Sequence, residues 1–221
     1  MNKIALSGPI WLASDLHLGP ATPATSEAFL AFLQAAQEDA AALLLPGDIF
    51  DAWIGDDVIR AAPPWLATVL TALRETAERI PVWLGRGNRD FLIGEELANA
   101  VGAKLLPEPA LLETDFGQVL LTHGDEFCTD DAAYQQFRKM VRDPRWQAEF
   151  LAKTIPERLA MAQQARGESQ AANQTKSMEI MDVNGAAIEA IFRETGVRVL
   201  VHGHTHRPAR HVLEVLSLIH I

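Results

Sequence analysis

The chain has 221 residues, of which 48% are hydrophobic and 22% charged, enough for one domain with a sizeable core or one domain carrying an insertion, and unlike a disordered segment. Nineteen Lys and Arg against 29 Asp and Glu leave a formal net charge of −10, which argues against sequence-independent nucleic-acid binding, a mode that needs basic surface to displace counterions from phosphates. The one cysteine, Cys128, permits neither an internal disulfide nor a thiolate zinc cluster and fits a small buried thiol in a reducing compartment. No secretory signal is expected, because the first apolar stretch is broken by Ser7, Gly8 and Pro9, and the chain has no run of about 18 apolar residues that could span a membrane. A cytoplasmic protein is the expectation, with contact at a membrane surface left open.

In chain order, short apolar runs recur and each ends in a polar cluster. Ile10 to Ala13 leads into Ser14, Asp15, Leu16 and His17; Leu43 to Pro46 leads into Gly47 and Asp48; Val82 to Leu84 leads into Gly85, Arg86, Gly87 and Asn88. Val119 to Thr122 then leads into His123, Gly124 and Asp125, and Val197 to Val201 into His202, Gly203 and His204. Unbroken apolar runs without period-2 alternation predict strands buried on both faces. Between them, Ser26 to Ala42 carries Phe29, Phe32 and Leu33 at helical spacing, and Pro64 to Ile80 carries Leu66, Val69, Leu70 and Leu73. Strand alternating with helix predicts an α/β layered sheet, whose ligands bind beyond the carboxyl ends of the strands, and all five polar clusters fall there.

The stretch from about 130 to 180 is different. It predicts consecutive helices, with Tyr134, Phe137 and Val141 on one stripe and Trp146, Phe150 and Leu151 after a break at Pro144. Eight Lys or Arg against seven Asp or Glu make it a basic, aromatic-rich island, while the rest of the chain has 11 against 22. An apolar patch rimmed by Arg138, Lys139, Arg142 and Arg145 would suit an anionic leaflet; a solvated helical face over an ordinary small core is the plainer alternative. Gln163 to Ser177 is polar and nearly without apolar anchors, which predicts a loop or a weak helix.

The chemistry rests on the clusters together. Four of the seven histidines lie in three of the strand-end junctions, and Asp15, His17, Asp48, Asn88, His123, His202 and His204 are expected to converge on one sheet edge. Seven nitrogen and oxygen donors suit two divalent ions of the Mn²⁺, Fe²⁺, Zn²⁺ or Mg²⁺ kind, with Asp48 as the bridge because a carboxylate has two oxygens. Two such ions activate a water and clamp an in-line displacement at phosphorus, so hydrolysis of a phosphoester or phosphoanhydride is the expected chemistry.

Asp15-Leu16-His17, Gly47-Asp48, Gly87-Asn88, His123-Gly124-Asp125 and His202-Gly203-His204, in that order, resemble the motif set of the calcineurin-like metallophosphoesterases over Ser14 to Pro208. The resemblance implies a four-layer α/β/β/α sandwich with a helical insertion. The extended runs Gly47 to Asp57, Gly87 to Phe91, Cys128 to Asp131, Lys176-Ser177 with Ile180 to Val183, and His202 to Pro208 resemble a narrower branch of that family. Its members cleave the pyrophosphate of UDP-2,3-diacylglucosamine to UMP and the acylated sugar 1-phosphate in lipid A biosynthesis, working at the cytoplasmic face of the inner membrane. That resemblance implies Asp15, His17, Asp48 and His204 as ligands of one Mn²⁺ and Asp48, Asn88, His123 and His202 as ligands of the other. It also implies substrate contacts from Asn88, Arg89, Asp131, Ser169, Asn173, Lys176 and His202, and chemistry centred on Asp48, Asn88, Arg89 and His123. Arg89 stands where the wider family has a histidine that protonates the leaving group. After Pro208 the family continues through further strands, whereas 13 residues remain here, so a shortened C-terminus is expected. A broad phosphodiesterase or nucleotidase would not need the insertion, and a metal-free scaffold protein would lack ligands that are all present.

Overall fold

The computed structural model describes residues 3–173, 180, 182–213 and 216–221. The elements in chain order are β1 (Lys3–Ala5), β2 (Ile10–Leu12), α1 (Pro23–Asp39), β3 (Ala42–Leu45), α2 (Pro64–Ala77), β4 (Val82–Leu84), α3 (Glu95–Ala100), β5 (Lys104–Leu105), β6 (Ala110–Thr114), β7 (Gly117–Thr122), α4 (Ala132–Val141), α5 (Pro144–Leu151), α6 (Ile155–Asn173), α7 (Gly185–Thr195), β8 (Val199–His202), β9 (Ala209–Leu213) and β10 (Leu216–His220).

The strands form two sheets. One is wholly parallel in the order β2-β3-β4-β5, and the other is mixed in the order β1-β6-β7-β8-β10-β9. Successive side chains of a strand point to opposite faces, so an unbroken apolar run in β3 serves two cores at once. Leu44 joins Trp83, Leu112, Leu121 and Val201 between the sheets, while Leu43 and Leu45 pack with Phe29 and Leu33 of α1 and Leu66, Val69 and Leu73 of α2. On the far side Leu111, Leu120 and Leu200 meet Ile188 and Phe192 of α7. The result is the four-layer α/β/β/α sandwich. It corrects the expectation of one sheet edge: the polar clusters lie on the adjoining carboxyl-end rims of two sheets, a distinction that apolar runs alone cannot make.

Other boundaries differ for local reasons. The first helix begins at Pro23, placed at its first turn where the missing N–H costs nothing, and ends at Asp39, so that Ala42 opens β3. The polar stretch expected as a loop or a weak helix is helical through Asn173, within an Ala- and Gln-rich segment of high helix propensity; 174–179, and with them Lys176 and Ser177, lie outside the described residues. Asp131 and Asp143 cap α4 and α5 through side-chain bonds to the amides of Tyr134, and of Arg145 and Trp146. The residues after Pro208 form β9 and β10, with β10 inserted between β8 and β9. Cys128 is buried, as expected.

Candidate metal centre

Five loops at the carboxyl ends of β2, β3, β4, β7 and β8 carry the predicted ligands. Among the described residues the non-glycine positions with positive φ are Asp15, His17, Asp48, His204 and His206, all of them in three of these loops. Left-handed backbone is uncommon outside glycine, and its concentration here marks strain held at a site. Gly87 follows from the same crowding, since a Cβ there would run into the Asp48 carboxylate.

The Asp48 carboxylate lies at the middle. Its Oδ2 is 3.8 Å from His17 Nδ1 and its Oδ1 is 3.7 Å from His123 Nε2. Oδ1 also accepts from the Arg89 amide at 2.8 Å, and the Arg89 guanidinium, 3.7 Å from Oδ2, donates to Asp51 Oδ1 at 2.8 Å. Asn88 Oδ1 contacts His123 Nε2 at 3.1 Å and His204 Nδ1 at 2.9 Å. Asp15 Oδ2 accepts the His204 amide at 2.9 Å, and its Oδ1 is 3.3 Å from His206 Nε2. Ligand atoms of Asp15, Asp48 and His123 lie within 4.8 Å of one another, as do those of Asp15, His17 and His206.

His202 is in neither group of close ligand atoms. Its Nδ1 contacts the Gly203 carbonyl at 2.9 Å, and its ring lies 4.1 Å from that of His220. The ring nevertheless shapes the centre, because a Cβ on Gly124 would approach His202 Nδ1 to 2.7 Å.

Electrostatics favour cation binding. Burial pushes His17 and His202 down to about 4 and His123 to about 3, so these rings are neutral at pH 7 with lone pairs to offer. Burial would raise Asp15, but the His206 hydrogen bond, the neighbouring His123 and the His204 amide outweigh it and hold the carboxyl below the usual range. Asp48 is driven the other way by burial and by the neighbouring Asp90, as two buried carboxyls resist ionising together. His17 Nδ1, on the Asp48 side of its ring, and His202 Nε2 are buried without a hydrogen-bond partner. Orphaned polar atoms are rare in native interiors, and neutral imidazole nitrogens left so near buried carboxylates fit divalent cations.

Several residues of the site were not singled out from sequence. His206 sits beside Asp15 and His17, with its Nε2 3.0 Å from His17 Nε2, and the spacing of His202, His204 and His206 was the available signal. Asp90, wholly buried, accepts amides from Gly87, Asp48, Ile49 and Phe50 at 2.7, 3.0, 2.7 and 3.3 Å and so ties the β3 and β4 loops together. Arg166 of α6 pairs with Asp51, next to Arg89. Among the expected substrate contacts, Asp131 is the cap of α4 and Ser169 is exposed on α6, whose last residue is Asn173.

The expected apolar stripe on α4 holds at Val141, which is buried, and is corrected at Phe137. Phe137 is exposed, and the face turned to the centre is Tyr134, Arg138 and Arg142, one helical turn apart. Tyr134 Oη donates to Asp125 Oδ2 at 2.6 Å, and its ring stacks 5.8 Å from that of His204. Arg138 and Arg142 are thus spent on inward ion pairs and do not rim an outer patch. Trp146 stacks on the buried Phe150 at 5.0 Å.

A family model described as Calcineurin-like phosphoesterase matches residues 8–208. The chain is 80% identical over 215 residues to the UDP-2,3-diacylglucosamine hydrolase of Bordetella pertussis, covering 97% of this chain and 83% of that protein. It is 46% identical over 208 residues to the protein of the same name from Xanthomonas axonopodis pv. citri, covering 91% of this chain and 83% of that protein. It is 46% identical over 209 residues to the one from Chromobacterium violaceum, covering 94% and 87%.

Proposed function

This chain belongs to the calcineurin-like phosphoesterase family, and from that premise we propose that it hydrolyses the pyrophosphate bond of UDP-2,3-diacylglucosamine to UMP and 2,3-diacylglucosamine 1-phosphate in lipid A biosynthesis. The observation that carries the reading is the Asp48 carboxylate, with one oxygen turned to His17 and the other to His123. A carboxylate so placed can be shared between two cations. Asp15, His17, Asp48 and His204 would hold one Mn²⁺ and Asp48, Asn88, His123 and His202 the other, with His206 beside the first set. When bound, such a pair supplies a hydroxide at neutral pH and neutralises charge on the phosphoryl oxygens.

The chain's own groups do the rest. The Arg89 guanidinium neutralises a departing phosphate, which needs no general acid because its second pKa is about 6. Asp51 orients that guanidinium through a 2.8 Å bond. Asn88, Asp131, Ser169, Asn173, Lys176 and His202 complete the expected substrate contacts.

In this reading residues 1–221 are one metallophosphoesterase domain with a helical insertion at about 130–180. Exposed Phe137, Met140, Leu151, Ile155, Leu159 and Met161 on the insertion support contact with acyl chains and with a leaflet, here the cytoplasmic face of the inner membrane. No helix among the described residues is long and apolar enough to cross a membrane.

The test measures UMP release by mass spectrometry. With Mn²⁺ the protein should cleave UDP-2,3-diacylglucosamine, lose activity in excess EDTA, and act on UDP-N-acetylglucosamine with kcat/KM lower by on the order of 100-fold, since acyl burial at about 25 cal/mol per Å² supplies much of the binding. Full turnover after prolonged chelation, or equal kcat/KM for the two substrates, would refute the reading.

A further inference from the structure

Helix α4 does more than cover the centre. From its carboxyl end Arg142 donates through Nη2 to the Gly87 carbonyl at 3.2 Å, while Nη1 and Nη2 grip Glu108 Oε2 and Oε1 at 2.6 and 3.1 Å. The Gly87 carbonyl belongs to the peptide bond that carries Asn88, whose Oδ1 lies between the rings of His123 and His204. On its inner side that peptide is wedged against Asp48, where no Cβ fits on Gly87. On its outer side it is held by the guanidinium.

One turn back, Arg138 Nε donates to Asp125 Oδ2 at 2.8 Å, and Gln135 Nε2 donates to the Asp125 carbonyl at 2.9 Å, which fastens the loop following His123. Glu108 lies in the crossover from β5 to β6, so the Arg142 fork joins the insertion, the crossover between the sheets and the Asn88 loop at one point. The side chains of Arg142 and Glu108 are 18% and 22% exposed, so the pair is largely withdrawn from solvent screening.

We propose that Arg142 is a positioning residue for the metal centre: it fixes the Gly87–Asn88 peptide from α4, so that docking of the insertion completes the ligand set instead of closing over a finished one. The inference rests on the metal-centre reading given above. Outer groups that orient a metal's ligands commonly change metal affinity by 10–100-fold when removed. Lysine is a poor substitute here, because one ammonium cannot span a carboxylate and a main-chain carbonyl as a planar fork does.

The experiment is Mn²⁺ titration of the metal-free protein by calorimetry, with manganese spin resonance as a second readout, for wild type, Arg142→Met and Arg142→Lys. Wild type should take up two ions. Arg142→Met should keep the tighter and bind the weaker on the order of 10–100-fold less well, and Arg142→Lys should fall between them. At limiting Mn²⁺ kcat should drop in Arg142→Met and recover as Mn²⁺ is raised, and at saturating Mn²⁺ KM for UDP-2,3-diacylglucosamine should lie within about twofold of wild type, since refilling the site returns Asn88, itself an expected substrate contact, to its place. Two ions bound at wild-type affinity, with KM raised instead, would overturn the inference and make α4 a substrate-binding element. Fewer than two ions in the wild type would overturn the metal-centre reading itself, so the two failures are distinguishable. If Arg142→Met loses its native circular dichroism, the Arg142→Lys comparison decides: wild-type affinity for both ions refutes the proposal, and a weakened second ion supports it.

Discussion

Arg158 of α6 is 1% exposed, among the largest fully buried side chains in the protein, and it allows a test of how the insertion is fastened to the body. Its Nη1 donates to the Ile54 carbonyl at 2.6 Å and to Asp57 Oδ1 at 2.8 Å, and its Nη2 pairs with Asp57 Oδ2. The slot exists because residue 55 is glycine, since a Cβ there would press on Arg158 Nη1 and on Leu151. The partners are unequal: the Asp57 side chain is 35% exposed and that of Arg158 only 2%. Asp57→Asn therefore leaves a buried guanidinium without its counter-charge, a loss of about 3 kcal/mol or more. Arg158→Met leaves a carboxylate that water can reach and costs chiefly the bond to Ile54 and the lost packing, about 1–3 kcal/mol. The expected order is the reverse of what side-chain size suggests. Urea unfolding of the metal-free protein should place Asp57→Asn below Arg158→Met by about 1–2 kcal/mol, with the double variant about 1–3 kcal/mol more stable than additivity predicts. An Arg158→Met loss exceeding that of Asp57→Asn, or plain additivity, would refute the argument from burial.

Asp48→Ala should lose both Mn²⁺ ions together, while Asp15→Ala chiefly weakens one; metal analysis returning two full equivalents in Asp48→Ala would remove the bridging role. Arg89→Ala should lower kcat on the pyrophosphate by on the order of 100-fold, as removal of one preorganised charge-stabilising group commonly does. Arg89→His should not restore it, and unactivated alkyl phosphodiesters should be poor substrates of the wild type. An Arg89→Ala enzyme near full activity would show that the guanidinium does not carry leaving-group charge.

The parts of this protein that were legible in its sequence are those where burial and chemistry alternate abruptly. Leu43, Leu44 and Leu45 before Gly47-Asp48 gave away a strand buried on both faces and a polar group at its end. Which sheet the strand joins was not legible, because Leu44 and Leu43 face different cores through the same kind of side chain. The residues missed were charged groups taken for surface or turn. Asp90, following Gly87-Asn88-Arg89, has the look of a loop residue but is the buried acceptor of four amides. Arg138, Arg142 and Arg158 count towards a basic island in composition, whereas their partners Asp125, Glu108 and Asp57 lie 13, 34 and 101 residues away in the chain. Pairings at that separation leave no local pattern, and long charged side chains are rarely buried unless paired. The choice between loop and weak helix after Gln163 belongs to the same class, since Arg166 anchors the helix on Asp51 through an ion pair that polarity alone disguises.

The strained backbone gives the site its logic. The five non-glycine residues with left-handed φ among the described residues, at a cost of about 1 kcal/mol or more each, would consume a large part of a stability of about 5–15 kcal/mol. They persist because the loops are tied across one another by side chains bonding to main chain. The Asp15 carboxylate holds the His204 amide from the β8 loop, the Asp48 carboxylate holds the Arg89 amide from the β4 loop, and Asp90 holds the β3 loop in return. The proposed ligands thus have two duties, and substituting one conflates them. Asp15→Asn can keep an acceptor for the His204 amide while giving up the charge, whereas Asp15→Ala gives up both. If the loops are held chiefly by these bonds, the metal-free Asp15→Asn protein should melt close to wild type and metal-free Asp15→Ala several degrees lower, while both bind Mn²⁺ weakly. Equal melting of the two metal-free variants would mean that the left-handed loops are held by packing alone, leaving the Asp15 bond to His204 without a share in the fold.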